Sequence, residues 1–212
     1  NKTFNGSTEN LSRQLVIDTS RKKTAKTTEF VDPQELNKYK YIHQYLLDRH
    51  ISPDIIKKFD VGYNPKTNCI TFPNKDINGN ILFIATRRVD KKIFNYPRGI
   101  EKPVYGLYEV SKEIEQVKSL YIVESMIDAL QIWTWGRYAV ALNGTGSKEQ
   151  LKILNQYNCR EYILATDNDT AGQQARQKLK EGLKKKIIRE LDYKSYGECK
   201  DINDMTKEQF LN

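Results

Sequence analysis

The stretch LYIVESMIDAL, residues Leu120 to Leu130, decides the fold. Its first four residues are apolar, which is typical of a strand buried on both faces, and the rest has apolar residues at helical spacing. Similar apolar runs occur at 138–142, 162–165 and 187–188, with amphipathic helical stretches between them. Strands that alternate with helices in this way predict a parallel sheet with right-handed crossovers.

Polar and acidic residues stand where the predicted strands end. Glu124 follows the first strand, residues 143–146 (NGTG) follow the second, and residues 167–169 (DND) follow the third. Asp128 lies four residues after Glu124, so a helix that starts there would place both side chains on one face. Because the carboxyl ends of parallel strands meet at one edge of a sheet, we expect these carboxylates to converge.

A later segment, Lys200-Asp201-Ile202-Asn203-Asp204, adds carboxylates that we expect on the same side. Carboxylates that converge repel one another unless a cation neutralises them. Hard oxygen donors with positions left open for phosphates suit Mg²⁺ or Mn²⁺. A single Asp or Glu at a strand end is more often a helix cap or a solvated charge, and Asp204 is the weakest member because it flanks a predicted cap at Thr206.

The first half of the chain has a different pattern. Apolar spacing from Pro33 to about Arg49 predicts one helix, and Ser52-Pro53-Asp54 predicts the start of another. Residues 68–73 and 81–89 read as two strands joined through an Asn-Gly turn. Residues 1–33 show no sustained period, and we interpret them as a tail or linker.

Three of these stretches resemble the TOPRIM domain, which is shared by primases, topoisomerases and some nucleases: Tyr121–Leu130, Ala141–Gly146 and Ile163–Gly172. Residues 200–205 resemble the Lys-Asp-x-Asn-Asp stretch of primases, so the resemblance covers about 119–205. Ser125 replaces the usual Gly, Asn168 replaces the middle Gly of Asp-Gly-Asp, and Ile202 replaces a Pro. None of these departures removes a carboxylate.

The resemblance continues upstream and separates primases from topoisomerases. Residues 45–53, 59–63, 70–73, 92–97 and 104–109 are similar to landmarks of the polymerase domain of primases. Over about 34–205 the chain therefore resembles the RNA-polymerase domain of bacterial or phage-type DNA primases. This implies an α/β fold: a TOPRIM parallel sheet flanked by helices (118–212), preceded by a smaller basic α+β subdomain (34–117) and by the tail (1–33).

The basic charge is concentrated in the middle of the chain. The 212 residues carry a net charge of +8, of which residues 34–118 hold +5 and residues 119–212 hold +1. Between Thr86 and Lys102, basic residues alternate with Phe94 and Tyr96, a composition that suits phosphates and unpaired bases. A solvated charged face is the competing interpretation. The Gly144–Lys148 stretch lacks the first Gly of a P-loop, so we exclude ATPase chemistry of that kind.

The resemblance also implies roles for individual residues. It implies that Glu124, Asp167 and Asp169 are catalytic metal ligands, with Asp128 and Asp201 as supporting or second-metal residues. It implies that nucleic acid or nucleotide is bound by Arg87, Arg88, Lys92, Asn95, Lys102, Gly144, Thr145 and Lys200. The implied cofactor is Mg²⁺ or Mn²⁺, as a pair of ions, and the implied partners are a single-stranded DNA template and nucleoside triphosphates.

The implied function is template-directed synthesis of RNA primers. Two alternatives stay open: a metal-dependent TOPRIM nuclease, and an inert module that binds single-stranded nucleic acid. The spacing of Cys69, Cys159 and Cys199 suits neither zinc nor a disulfide framework, so we expect no zinc in this part and a reducing cytoplasmic setting in a bacterial or phage-infected cell. No apolar run spans a membrane. The chain begins with Asn1, and we expect a zinc-binding domain and a contact to the replicative helicase elsewhere in a longer protein.

Overall fold

The computed structural model describes residues 29–113, 117–197 and 199–212 and contains two four-stranded sheets. The first sheet is antiparallel with the order β1-β2-β3-β4, and its strands are Gly62–Asn64, Cys69–Lys75, Ile81–Arg88 and Phe94–Asn95. The second is parallel with the order β6-β5-β7-β8, and its strands in chain order are Ser119–Val123, Ala139–Ala141, Glu161–Leu164 and Ile187–Glu190. The predicted α/β class, with an α+β part before a parallel sheet, is confirmed. Most of the predicted tail, residues 1–28, lies outside the described residues.

Helices flank both sheets. The α-helices α1 to α7 are Gln44–Leu47, Pro53–Lys58, Leu107–Ser111, Met126–Thr134, Lys148–Gln156, Thr170–Gly182 and Lys207–Leu211. Short 3₁₀ helices occupy Pro33–Tyr39, Tyr193–Tyr196 and Ile202–Asp204. The predicted capping box of Ser147 and Gln150 starts α5, because each side chain bonds the backbone N–H of the other. Ser52 likewise caps α2 by accepting from the N–H of Ile55.

The single helix predicted from Pro33 to Arg49 is wrong. The chain forms a 3₁₀ helix over Pro33–Tyr39 and then the separate α1, whose N-cap His43 accepts a hydrogen bond from the N–H of Tyr45. A Cβ on Gly62 would lie 2.0 Å from the carbonyl oxygen of Tyr39, so β1 passes directly against the end of the 3₁₀ helix. The apolar spacing is correct, but the tertiary contact with β1 breaks the helix.

The two sheets share one hydrophobic core. Tyr105 exchanges both backbone hydrogen bonds with Ala141 at the edge of the parallel sheet, at 2.9 and 3.0 Å. The ring of Phe59 packs against Tyr105 and against Trp133 of α4, with ring centroids 5.6 and 5.3 Å apart. These contacts fix the antiparallel part beside the parallel sheet, and they therefore fix the cleft between the two. No helix in the described part of the chain is long and apolar enough to cross a membrane.

Candidate active site

The loop after β5 carries Glu124 and leads into α4. Glu124 precedes the N-cap Ser125 and does not lie on the helix, so the expectation that Glu124 and Asp128 share a helical face is wrong. The hydroxyl of Ser125 donates to Asp128 Oδ2 at 2.7 Å and accepts from the Asp128 N–H at 3.3 Å. Glu124 instead lies between two neighbouring loops: its carbonyl accepts from the N–H of Gly144 and its Oε1 accepts from the N–H of Asp167, both at 3.3 Å.

The loop after β7 brings Asp167 and Asp169 to the same edge. Asp169 is the N-cap of α6, and its Oδ1 accepts from the N–H of Gly172 at 2.8 Å. A Cβ on Gly172 would lie 1.9 Å from the carbonyl oxygen of Asp167. Only glycine therefore lets the first turn of α6 approach the backbone that carries Asp167.

Two hydrogen bonds from Asn168, which we call the clamp, hold the segment 199–205 against the loop after β7. The Asn168 N–H donates to the carbonyl of Lys200 at 2.6 Å, and its side-chain amide donates to the carbonyl of Cys199 at 3.3 Å. Asp201 then caps the following 3₁₀ helix by accepting from the N–H of Asn203 at 2.8 Å. Asn203 donates its side-chain amide to Asp128 Oδ1. The clamp thus ties the segment that carries Asp201 to the other acidic loops.

The carboxylates raise one another's pKa values. Burial and the charge of Asp167 raise the pKa of Glu124 to about 6. Burial raises the pKa of Asp128 to about 7, although the hydrogen bond from Ser125 opposes the rise. Burial, Asp201 and Asp169 raise the pKa of Asp167, while Lys92 lowers it. Mutual repulsion of this kind is what a bound cation would relieve.

A cleft of about 230 Å³ lies between the two sheets. Acidic side chains of the parallel half face cationic side chains of the antiparallel half across it. Its lining residues are Arg49, Arg87, Lys92, Phe94, Ser125, Ile127, Asp128, Asp167, Asp201, Asn203 and Asp204. Glu124 and Asp169 stand beside this cleft, bonded to the Asp167 loop, and are not among its lining residues.

Aromatic rings hold Arg87 in the cleft wall. Its guanidinium lies 4.7 Å from the ring centroid of Tyr45 and 5.5 Å from that of Phe94, and the side chain is only 6% exposed. Arg49 lies 4.8 Å from the Tyr45 ring and donates to Asn203 Oδ1 at 3.1 Å. Burial lowers the pKa of Arg87, yet an Arg remains charged at any physiological pH.

The remaining predicted binding residues lie in different places. Successive strand residues point to opposite faces, so Arg88 points away from the Arg87 side and bonds Asp90 in a bidentate pair. Asn95 is paired with Thr86 and lies on that same outer face. Lys92 is exposed and lines the cleft.

Three further predicted binding residues lie beside Glu124, and one lies on the segment 199–205. Lys102 donates to the carbonyl of Asn143 at 2.7 Å, next to the exposed Gly144 and Thr145. Lys200 is exposed on the clamped segment, and its N–H donates to Asp204 Oδ2 at 2.9 Å. The predicted cationic set is therefore divided between the cleft, the Glu124 loop and the outer face of the first sheet.

The donor chemistry fits a divalent metal ion. The available donors are carboxylate oxygens, which Mg²⁺ and Mn²⁺ prefer over nitrogen or sulfur. Among the described residues, no three His, Cys, Asp or Glu side chains already form a ligand group. Mg²⁺ commonly takes only one or two carboxylates and completes its shell with water and substrate phosphates, so a partial carboxylate set suits it.

Comparison with known proteins agrees with this geometry. The model of the Toprim-like family matches residues 121–206. A DNA primase of Borreliella burgdorferi is 34% identical over 146 residues, which cover 62% of this chain and 28% of that primase. Over the matched residues the chain is similar to the polymerase part of DNA primases. The resemblance inferred from sequence is confirmed, and Toprim domains bind divalent metal.

Solved structures show the same fold. The zinc-binding and RNA polymerase domains of the Aquifex aeolicus primase match this chain with a TM-score of 0.64 at 22% identity, over 78% of this chain and 52% of that one. The primase fragment of the bacteriophage T7 primase-helicase matches this chain with a TM-score of 0.64 at 21% identity, over 85% of this chain and 74% of that fragment.

This chain spans only part of the length of the curated primases that it matches. The alignments span between 28% and 37% of the length of the first curated primases. An uncharacterised protein of Mycoplasma genitalium is 29% identical over 81% of this chain and 82% of its own length. That alignment therefore extends over most of both chains.

Sequence reasoning missed several residues of the cleft and its wall. Arg49 lies far upstream in the chain but lines the cleft, and the Tyr45 ring behind it contacts both Arg49 and Arg87. Asn203 stands inside the quoted Lys-Asp-x-Asn-Asp stretch, which was the one available signal. Asp204, the weakest predicted member, lines the cleft.

Proposed function

We propose that this chain catalyses template-directed synthesis of short RNA primers on single-stranded DNA by metal-dependent nucleotidyl transfer. The observation that carries the proposal is the cleft in which Asp167 and Asp201 of the Toprim-like half face Lys92 and Arg87 of the other half. Its relatives named DNA primase support it, as does a primase catalytic domain solved bound to single-stranded DNA, which matches with a TM-score of 0.63 at 22% identity.

We assign Glu124, Asp167 and Asp169 to metal binding, with Asp201 beside them. Bound Mg²⁺ or Mn²⁺ ions would neutralise charge on the reacting phosphate and favour ionisation of the attacking 3′-hydroxyl. The chain keeps the carboxylates close by hydrogen bonds from backbone N–H groups to Glu124, Asp169 and Asp201. These bonds position the carboxylates before any ligand arrives.

Asp128 has a different role in this proposal. Both of its oxygens accept hydrogen bonds, from Ser125 and from Asn203, and the residue is 3% exposed. We therefore propose that Asp128 supports the site by holding the segment 201–204 in place, and that it is not a direct ligand.

The cationic side chains of the cleft would bind the phosphates of the nucleotide and of the template. Lys92 and Arg87 face the carboxylates across the cleft, and Lys102 lies beside the exposed Gly144-Thr145 turn and Glu124. We propose that these residues hold the triphosphate and the template backbone, and that Arg88, Asn95 and Lys200 contact the strand further out. Little covalent chemistry is needed from protein groups, since positioning and charge stabilisation dominate phosphoryl transfer. A helicase and a zinc-binding domain are proposed partners of the whole protein.

The test is primer synthesis on single-stranded DNA with ribonucleotides and Mg²⁺ or Mn²⁺. Asp167→Asn and Asp169→Asn should each lower the rate by at least about 100-fold, because each removes charge that the metal requires. Asp54→Asn, at an exposed position on α2, is the matched control and should keep the wild-type rate. Full activity in either site variant would contradict the assignment, and shortening of labelled DNA in place of primer extension would favour the nuclease.

A further inference from the structure

Basic residues precede all four strands of the parallel sheet. In the spatial order of the strands they are Arg137 before β6, Lys118 before β5, Arg160 before β7 and Lys186 before β8. Because neighbouring strands lie about 4.8 Å apart, the row is about 15 Å long. All four strands are parallel, so this row, which we call the basic edge, lies at the opposite end of the sheet from Glu124 and Asp167.

Three of the four side chains of the basic edge are available to a partner. Lys118, Arg137 and Arg160 are exposed, and none forms an ion pair with any residue that the structure describes. Lys186 is held in place, since its ammonium donates to the carbonyls of Tyr157 and Cys159 at 2.7 and 2.8 Å. The edge is therefore positively charged and fixed in shape at its β8 end.

A shallow depression with a volume of about 570 Å³ lies next to Lys186, between α5 and the end of α6, and further lysines line it. We call it the concave surface. Lys184 and Lys185 line it together with Lys148 and Lys152, and no acidic residue lines it. Lys148 is the first residue of α5, where a positive charge opposes the helix dipole, and Lys152 is a like charge four residues later. Lys152 pairs with Glu149 on its own helix, so only Lys148 is left unexplained by the stability of α5.

Compensation of helix dipoles accounts for only part of this charge. Helices α4, α5 and α6 end near the basic edge, and each carboxyl end carries about half of a negative charge, or about −1.5 in all. Seven cations that form no ion pair with any described residue stand against that: the four of the edge together with Lys148, Lys184 and Lys185. Among nearby acids, Glu161 is paired with Arg189, Glu149 is paired with Lys152, and Glu181 accepts a hydrogen bond from Gln177. A large positive excess remains.

We infer that the basic edge binds the phosphate backbone of single-stranded DNA, as a second contact remote from the carboxylate cleft. Rows of Lys and Arg bind phosphates without reading sequence. The choice of DNA among polyanions rests on the proposed function. A strand held there lies outside the synthesis cleft, so the contact would add affinity for template without taking part in chemistry.

The experiment is equilibrium binding of a 5′-fluorescein oligothymidylate of about 30 nucleotides, followed by anisotropy in EDTA without nucleotides over about 50–300 mM NaCl. Arg137→Gln/Arg160→Gln should weaken binding at low salt and reduce the slope of log K against log salt by about 1.4, or about 0.7 per lost phosphate contact. Lys57→Gln/Lys207→Gln removes two exposed lysines elsewhere and should leave both quantities unchanged. Circular dichroism checks that both variants fold.

The outcomes separate this inference from the proposed function. An unchanged salt slope in Arg137→Gln/Arg160→Gln, or an equal loss in the lysine control, would overturn the DNA contact and leave an acidic protein as the occupant to test. If wild-type protein binds the oligonucleotide through the edge but makes no primers, the contact stands and the proposed function fails. If primers form while the edge variant binds as wild type does, only the contact fails.

Discussion

Asp128 is a buried residue of the cleft lining, where its carboxylate accepts two hydrogen bonds and burial raises its pKa to about 7. Its ordinary pKa is 3.8, so the folded chain binds this proton more tightly than the unfolded chain does. Between about pH 4 and about pH 7 the unfolded chain has released this proton while the folded chain still binds it, so rising pH favours the unfolded state. Without metal, the protein should therefore lose stability across this window.

Asp128→Asn should remove most of that loss. The variant keeps a side chain of the same shape without a charge, so its unfolding free energy at pH 8 in EDTA should exceed that of the wild type by about 2–4 kcal/mol. Urea denaturation at pH 4.5, 6 and 8 measures the difference. Asp54→Asn controls for loss of one exposed carboxylate, and a wild-type protein whose stability rises steadily from pH 4.5 to 8 would contradict the expectation.

At the residue scale, sequence could identify the carboxylates but not their partners. Glu124, Asp167 and Asp169 follow strand ends, and parallel topology alone brings such positions together. Arg49 reaches Asn203 across 154 positions of the chain, and no local pattern predicts that contact. The sequence interpretation also treated Arg87 and Arg88 alike, whereas strand alternation places them on opposite faces.

The elements that position the site depend on close backbone approaches. Helix α6 begins on the backbone of Asp167, with room for no side chain at Gly172. Strand β1 passes Tyr39 in the same way at Gly62 and so ends the 3₁₀ helix. The capping residues predicted the start of α5, and the Asn-Gly turn predicted the hairpin of β2 and β3, because both signals are local. The break in the helix between residues 39 and 44 is caused by a contact with β1, which lies outside that segment.

Gly172→Ala should show the strength of the α6 contact. Replacing glycine by alanine inside an exposed helix normally raises the unfolding free energy by about 1 kcal/mol. Here the added Cβ must push α6 away from the backbone of Asp167. We expect a net loss of about 1–3 kcal/mol in unfolding free energy and weaker Mn²⁺ binding. Gln174→Ala, at an exposed position on the same helix, should change neither. Wild-type Mn²⁺ affinity in Gly172→Ala would show that the displacement does not reach the carboxylates.

In the whole molecule, a buried ion pair joins the first sheet to the helices beside it. Lys75 of β2 bonds Glu109 of α3 and Asp60 after α2, each at 2.9 Å, and the Lys75 and Glu109 side chains are only 9% and 6% exposed. Burial lowers the pKa of Lys75, but Glu109 and Asp60 more than offset this and the net pKa is raised. The lysine is therefore charged, and Glu109 depends on it for neutralisation.

Lys75→Met should destabilise the fold by about 3–5 kcal/mol, because it leaves the buried Glu109 without a counter-charge. Adding Glu109→Leu should restore most of the loss, since two apolar side chains need no pairing. Guanidinium denaturation of the wild type, both single variants and the double variant gives the four unfolding free energies of this double-mutant cycle. If the double variant is as unstable as Lys75→Met, packing and not charge explains the loss.

The clamp between Asn168 and Lys200 also concerns the order in which the chain is made. Synthesis proceeds from the amino end, so the strands that carry Glu124 and Asp167 leave the ribosome well before Asp201 does. Until residues 199–204 emerge, the N–H of Asn168 lacks its carbonyl partner and Asp128 lacks the amide of Asn203. A nascent chain therefore cannot complete its acidic cleft until residues 199–204 have emerged.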